Sequence, residues 1–246
     1  KAFFDQIGSV AASERGDRHT DTPIMDVPHA RRMVTMKDYH HNSLIDDQDK
    51  LRLLIDPTSS YAKAAANAMG RKMDDIIISA LLGDALTGKT GSTSVALPAA
   101  QKIAHGSTGL TIAKLVEAKQ KLDEQSVDPS IRRYIAVSPK QISDLLNNTT
   151  VTSADFNTVR SLATGSLSSF VGFDFIVSNR LTTDSNGNRQ VIAWAEDGCM
   201  MAIGKDVTAR IDERPDKSYA TQVYYCASFG ATRMEEVKVV EIACTE

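Results

Sequence analysis

The residues Gly83-Asp84-Ala85-Leu86-Thr87-Gly88-Lys89-Thr90 have the spacing of a phosphate-binding loop: a glycine, four residues, then Gly-Lys-Thr. That chemistry needs a buried strand before the loop and a helix after it, so that backbone N–H groups and the helix dipole cradle the phosphates. Here the order is inverted. A long helical pattern precedes the loop, and Gly91-Ser92-Thr93-Ser94 and then Pro98 follow it, which is no helix start. No apolar strand ending in Asp lies downstream to hold magnesium. The expectation is a flexible loop, with a nucleotide-binding enzyme using Gly83 to Thr90 as the reading from a different class.

Other reactive residues are also without a matching pattern. Asp46, Asp47, Asp49 and Asp56 lie close in sequence but lack the Asp-x-Asp-x-Asp-Gly spacing and closing Glu of a calcium loop, so a solvated acidic face is expected. The five histidines, His19, His29, His40, His41 and His105, lack metal-ligand spacing. Cys199, Cys226 and Cys244 are odd in number and sit in apolar strand-like stretches, which reads as buried free thiols. No Ser occupies a nucleophile elbow and no Cys lies beside a base. The expectation is no catalytic residue, no cofactor and no metal. Arg15-Gly16-Asp17 spells an adhesion tripeptide, but a charged loop tip is the better reading. The glycosylation tripeptides Asn147-Asn148-Thr149 and Asn148-Thr149-Thr150 are expected to stay unmodified, since no signal peptide is apparent.

With 246 residues, 42% of them hydrophobic, the chain can bury a sizeable core in one or two domains. The net charge of -3 argues against tight nucleic-acid binding. No apolar run approaches the roughly 18–20 residues of a membrane span.

The clearest element is a helix over residues 57–82. Asp56 is placed to cap it, Pro57 suits its first position, and Gly83 marks its end. Tyr61, Ala65, Ala68, Met69, Met73, Ile76, Ile77, Ala80 and Leu81 fall on one face. At about 1.5 Å per residue it forms a rod of about 39 Å, a spine for the remaining segments. Gly70 at its middle costs about 1 kcal/mol relative to Ala, which a closely passing backbone would justify. Before the spine, Pro23 and Pro28 exclude a helix, and the charged cluster Glu14 to His19 separates two extended stretches. A two-stranded arm with a charged tip fits, and such a hairpin needs another surface to lie on. Ser43 to Ile55 reads as an amphipathic turn.

After the spine, Thr111 to Val127 reads as a helix, Arg133 to Val137 as a buried strand, Ser138-Pro139 as the start of a helix to Leu146, and Ser153 to Leu162 as another helix. Phe170 to Val177 and Gln190 to Ala195 read as strands of a hairpin turning at Asn186-Gly187. Val207 to Glu213, Thr221 to Phe229 and Glu235 to Cys244 read as an antiparallel sheet packed on the spine, with a bulge at Val239-Val240. The fold class is α+β.

Lys50-Leu51-Arg52-Leu53-Leu54-Ile55-Asp56-Pro57-Thr58-Ser59-Ser60-Tyr61-Ala62, followed by Ala68-Met69-Gly70-Arg71-Lys72-Met73-Asp74-Asp75, resembles the major capsid proteins of tailed bacteriophages. So do Phe170-Val171-Gly172-Phe173-Asp174-Phe175 and the stretch Phe229 to Ile242. The order of elements is similar across nearly the whole chain. The resemblance implies the Hong Kong 97-type capsid fold. It would have an arm and its base at 1–42, containing an extended loop from Gly8 to Met36. A peripheral domain would span 43–105 with the spine, an axial domain 106–204, and peripheral strands 205–246. The family's usual N-terminal arm ahead of the extended loop is not evident.

The resemblance further implies a non-enzymatic subunit that self-assembles as hexamers and pentamers into an icosahedral head around double-stranded DNA, without sequence-specific DNA binding. Implied partners are copies of itself, scaffolding, portal and decoration proteins, and no membrane. The implied location is the virion, with assembly in the bacterial host cytoplasm. An encapsulin-type nanocompartment shell shares the fold and is the alternative within it. Glu14, Arg15, Asp17, Arg18, Arg31 and Arg32 are the expected subunit-interface residues, and Gly70 the expected spine-packing residue. Between Lys1 and Lys37 the arm has no lysine and no cysteine, so non-covalent contacts are expected.

Overall fold

Pro57 opens and Leu82 closes the spine helix, as the sequence pattern indicates, and everything else is arranged about it. The computed structural model of the chain describes residues 1–8, 10, 12–14, 16, 18, 24–46, 57–125, 127–147 and 169–246. In chain order the elements are β1 (Ala2–Ile7), β2 (His29–Val34), β3 (Lys37–Ile45), α1 (Pro57–Leu82), β4 (Ala85–Thr87) and β5 (Thr93–Val95). Then come β6 (Lys102–Ile103), α2 (Ile112–Glu124), β7 (Arg133–Val137), α3 (Pro139–Leu146), β8 (Ser169–Phe170) and β9 (Phe173–Val177). Last are β10 (Arg189–Ala195), β11 (Cys199–Arg214), β12 (Ala220–Arg233) and β13 (Val239–Cys244).

The spine serves two hydrophobic cores. Near its middle, Met69 packs with Ala227 and Phe229 of β12, and Tyr39 of β3 stacks on Phe229 with ring centroids 4.9 Å apart. Near its C-terminal end, Ile78 and Leu81 enter a larger core with Leu115 and Leu122 of α2, Ile135 of β7 and Ile192 of β10. The smaller core lies under a three-stranded antiparallel sheet ordered β11-β12-β3. The larger lies against a six-stranded sheet ordered β6-β13-β10-β7-β9-β8.

Several local expectations change in three dimensions. Phe170 to Val177 is not one strand: Val171 and Gly172 both take positive φ, 53° and 81°, and turn β8 back on β9. Beyond the turn at Gly187, β10 does not pair with β9, because β7 lies between them, parallel to β9 and antiparallel to β10. The C-terminal strand is also misplaced by sequence pattern. β13 leaves the long β11–β12 hairpin and enters the larger sheet between β10 and β6. Its mostly apolar sequence, interrupted only by the buried Glu241, reflects burial on both faces, and its register with β10 shows no bulge at Val239-Val240. The register breaks lie in β11, between Ile203 and Lys205 and between Lys205 and Thr208. The third strand of the spine-packed sheet is β3, so Ser43 to Ile45 is extended, not a turn. Residues 47–56 and the expected helix over 153–162 lie outside the described residues.

The arm is an antiparallel ladder of β1 and β2, from Ala2 opposite Val34 to Ile7 opposite His29. Its inner strand continues into a small sheet ordered β1-β2-β4-β5, which fastens the arm to the end of the spine. The Gly-Lys-Thr segment belongs to that sheet: Ala85 to Thr87 is strand, and Gly88 and Gly91 take φ of 95° and 69° in the turn to β5. A Cβ on Gly91 would sit 2.4 Å from the Met33 sulfur of the arm. The glycine spacing is therefore that of a hairpin turn packed on β2. Followed by a strand and not by a helix, it cannot cradle phosphates as the motif requires.

Gly83 does not end the spine in a left-handed turn. Its N–H bonds the Ser79 carbonyl at 2.9 Å, and a Cβ there would lie 2.6 Å from that same oxygen. Gly70 is exposed, and among the described residues nothing lies within 4 Å of where its Cβ would be. The close backbone expected to justify this glycine is not found among the described residues.

Candidate assembly interface

The arm combines one tightly held root with a poorly covered outer part. At the root, Arg32 is only 5% exposed. Its Nε donates to the Met234 carbonyl at 2.9 Å, and Nη2 pairs with Glu236 at 2.7 Å. An interface role was expected for Arg32, but its partners are in its own chain. Arg31, on the opposite face, remains half exposed. It pairs at 2.8 Å with Asp5, directly across the ladder, and lies 5.6 Å from the Phe3 ring centroid.

Further out, Glu14 and Arg18 are exposed, while Arg15 and Asp17 lie outside the described residues. The outer arm is also apolar, a feature the charge-based reading passed over. Ile7 is 64% and Ile24 is 95% exposed, and Val10, Met25 and Val27 are open as well. The signal was present in Ile24-Met25-Asp26-Val27, apolar residues flanked by prolines in a segment unable to build a core of its own.

The root is one part of a buried polar junction. Arg233, the last residue of β12, is fully buried. Its Nη1 donates to the carbonyls of Leu81 at 2.8 Å and Gly83 at 2.7 Å, and Nη2 to Val95 at 2.9 Å. These include an otherwise unpaired carbonyl at the spine's C-terminal end, where the helix dipole favours a cation. Glu236 lies 3.8 Å from Arg233 and bridges it to Arg32. Burial lowers the Arg233 pKa, with Glu236 opposing the shift. The junction thus joins the spine, the end of β5, β12 and the arm.

Two further polar locks hold the larger core. The Lys114 ammonium, 7% exposed, donates to the carbonyls of His105, Thr108, Gly109 and Ala243 at 2.8 to 3.0 Å. Its pKa is lowered, chiefly by burial. Glu246 accepts from Arg189 Nη2 at 2.7 Å, Ser138 Oγ at 2.8 Å and Gln141 Nε2 at 2.9 Å. These bonds, the one from Arg189 foremost, pull its pKa from 4.5 to about 2.

Among the described residues no group of His, Cys, Asp and Glu is arranged to hold a metal ion. All three cysteines are free; Cys244 is buried, while Cys199 and Cys226 are partly so. No described helix is long and apolar enough to cross a membrane.

Two tests follow from the locks. Arg233→Met strands three backbone carbonyls, while Glu236 keeps Arg32 as its partner, and is expected to lower unfolding free energy by about 3–5 kcal/mol in urea denaturation of the unassembled subunit. Glu246→Gln probes pH. A depressed carboxylate pKa stabilises fully above the unfolded value of 4.5, and that contribution fades as pH falls towards about 2. With some discount for partial exposure, the wild type is expected to exceed the variant by on the order of 2 kcal/mol near neutral pH. The gap should shrink steadily between those two pH values.

A profile of the family described as phage capsid protein matches residues 1–246. No curated protein gives a significant match. The fold is similar to the capsid of the cyanophage P-SCSP1u, with a TM-score of 0.74 and 18% identity over 100% of this chain and 83% of that one. It is also similar to the capsid of the Helicobacter pylori bacteriophage KHP30, with a TM-score of 0.73 and 10% identity over 98% of this chain and 84% of that one. For the capsid of Ralstonia phage GP4 the TM-score is 0.72, with 12% identity over 99% of this chain and 82% of that one. At such identities the likeness to these structures is one of fold, the Hong Kong 97-type capsid fold. With its spine, rooted arm and three sheets, and a family profile that spans its whole length, the chain belongs to the phage capsid protein family.

Proposed function

We propose that the chain is a major capsid protein that assembles with copies of itself, as hexamers and pentamers, into an icosahedral head enclosing double-stranded DNA. The observation that carries this is the arm, rooted through Arg32 yet leaving Ile7, Val10, Ile24, Met25 and Val27 exposed. Lying across a neighbouring subunit gives these residues cover, and repetition around closed rings multiplies a modest contact. In this reading residues 1–42 form the arm and its base, 43–105 and 205–246 the peripheral part around the spine, and 106–204 the axial part. β13 reaches from the peripheral stretch into the axial sheet.

Glu14, Arg15, Asp17, Arg18 and Arg31 supply polar contacts around the apolar ones. Exposed ion pairs contribute roughly 0–1 kcal/mol each, so the apolar residues provide the larger share. The exposed Gly70 leaves room on the spine for a neighbouring subunit. A net charge of -3 suits a wall that holds DNA without gripping it. The subunit acts as structural material and not as a catalyst. It assembles in the host cytoplasm with scaffolding, portal and decoration proteins as further partners, and the contacts between subunits are non-covalent.

Electron microscopy of particles made from the expressed chain is expected to show closed shells; soluble monomers under all assembly conditions would overturn the reading. Ile24→Asp and Arg18→Glu are each expected to reduce particle yield while leaving the subunit's circular dichroism and melting temperature unchanged, with Ile24→Asp the more damaging. Particles boiled in detergent are expected to run as a single band near the 26.7 kDa chain mass, and ladders of higher mass would contradict non-covalent contacts.

A further inference from the structure

The register breaks in β11 place two reactive side chains in contact. Lys205 opposes Ser228, yet the next paired residue, Thr208, opposes Cys226. The extra residue in β11 bends the strand and turns Lys205 diagonally onto Cys226. Its Nζ lies 3.1 Å from the Cys226 sulfur. Lys205 is exposed and has no carboxylate partner among the described residues, so the sulfur is its near neighbour.

Cys226 is set apart from the other two thiols by its amine neighbour. Burial pushes Cys199 and Cys244 up to about 11, which keeps them protonated and slow to react. Cys226 lies on the sheet face turned away from the spine, between Thr208 of β11 and His40 of β3, and is partly open to solvent.

We propose that Lys205 and Cys226 form an oxidant-dependent covalent staple, a sulfenamide S–N bond across the β11–β12 hairpin. The oxidant is a peroxide. Hydrogen peroxide takes the Cys226 thiol to the sulfenic acid: the O–O bond breaks, sulfur loses two electrons, and one water leaves. The unprotonated Lys205 amine then attacks that sulfur with its lone pair. The S–O bond breaks, and the departing hydroxide takes one amine proton as a second water. One peroxide is consumed, two waters are released, and the pair loses two hydrogens. Two equivalents of a small thiol reverse the bond and leave as their own disulfide. In a reducing cytosol the pair stays open, and an oxidising medium closes it. The staple lies within one subunit, so it is compatible with non-covalent contacts between subunits and does not depend on them.

Purified particles treated with hydrogen peroxide at pH 8.5, then dissociated and weighed intact, are expected to lose about 2 Da, recovered on adding dithiothreitol. Digestion should yield a peptide joining the segments around Lys205 and Cys226. Lys205→Arg keeps the charge but cannot condense in this way, so its Cys226 is expected to be trapped by dimedone as the sulfenic acid. The treated wild-type subunit is expected to melt at a higher temperature than the untreated one, and Cys226→Ser to show no such rise. A dimedone adduct on wild-type Cys226 without a linked peptide would overturn the proposal. So would a mass loss that persists in Lys205→Arg, or a dithiothreitol-sensitive dimer between chains.

Discussion

The fold depends on a single buried cation more than on any one apolar contact. Arg233 has no solvent contact and gives its guanidinium protons to carbonyls of the spine's last turn, the residue after it, and β5. Taking a guanidinium out of water is expensive, and only converging backbone oxygens and a nearby carboxylate make it tolerable. Its geometric demand is correspondingly strict. A spine rotated by one residue, or an end of β5 displaced by about an ångström, would leave the charge poorly compensated. Arg32 repeats the arrangement one layer out, reaching the carbonyl of Met234 and the carboxylate of Glu236. The arm, the spine and the long hairpin therefore share one fixed point.

From that point the helix can serve two cores because it is long. Its middle, at Met69, lies on the three-stranded sheet, and its last turns, at Ile78 and Leu81, enter the larger core. The two packed regions are thus joined by a rigid element and by a strand, β13, that runs from the junction into the larger sheet. Relative movement of the regions would have to bend a continuous helix or break the Arg233 contacts. Both are costly.

Periodic segments were legible in the sequence. The spine limits, the start of α3 at Ser138-Pro139, and β7 follow from capping residues and hydrophobic spacing that act within a few residues. What could not be read is which strand pairs with which. β13 is mostly apolar around Glu241, and such a stretch does not say whether it completes a hairpin or enters the middle of another sheet. Likewise Asn186-Gly187 marks a turn but not that β7 inserts between the strands on either side. The role of Arg32 was missed for the same reason, since its partners Met234 and Glu236 are about two hundred residues away. Arg233 gave no signal because its partners are backbone carbonyls, which every residue has. The Gly-Lys-Thr segment is a hairpin held against Met33 and not the flexible loop expected, because its packing partner lies far away in the sequence.

The arm ladder also has a mechanical reading. β1 and β2 run antiparallel from Ala2 opposite Val34 to Ile7 opposite His29, and β2 is bonded in turn to β4. Tension applied along the arm from its far end acts parallel to the strands, perpendicular to the hydrogen bonds between them. In that direction the bonds are sheared and resist together. A pull across the ladder would instead peel them one at a time. The load then passes through β2 to Arg32 and Glu236, and through Arg233 to the end of the spine. In the head proposed above, the arms carry hoop tension as strands in shear, and the wall is weakest to forces that lift an arm away from its neighbour.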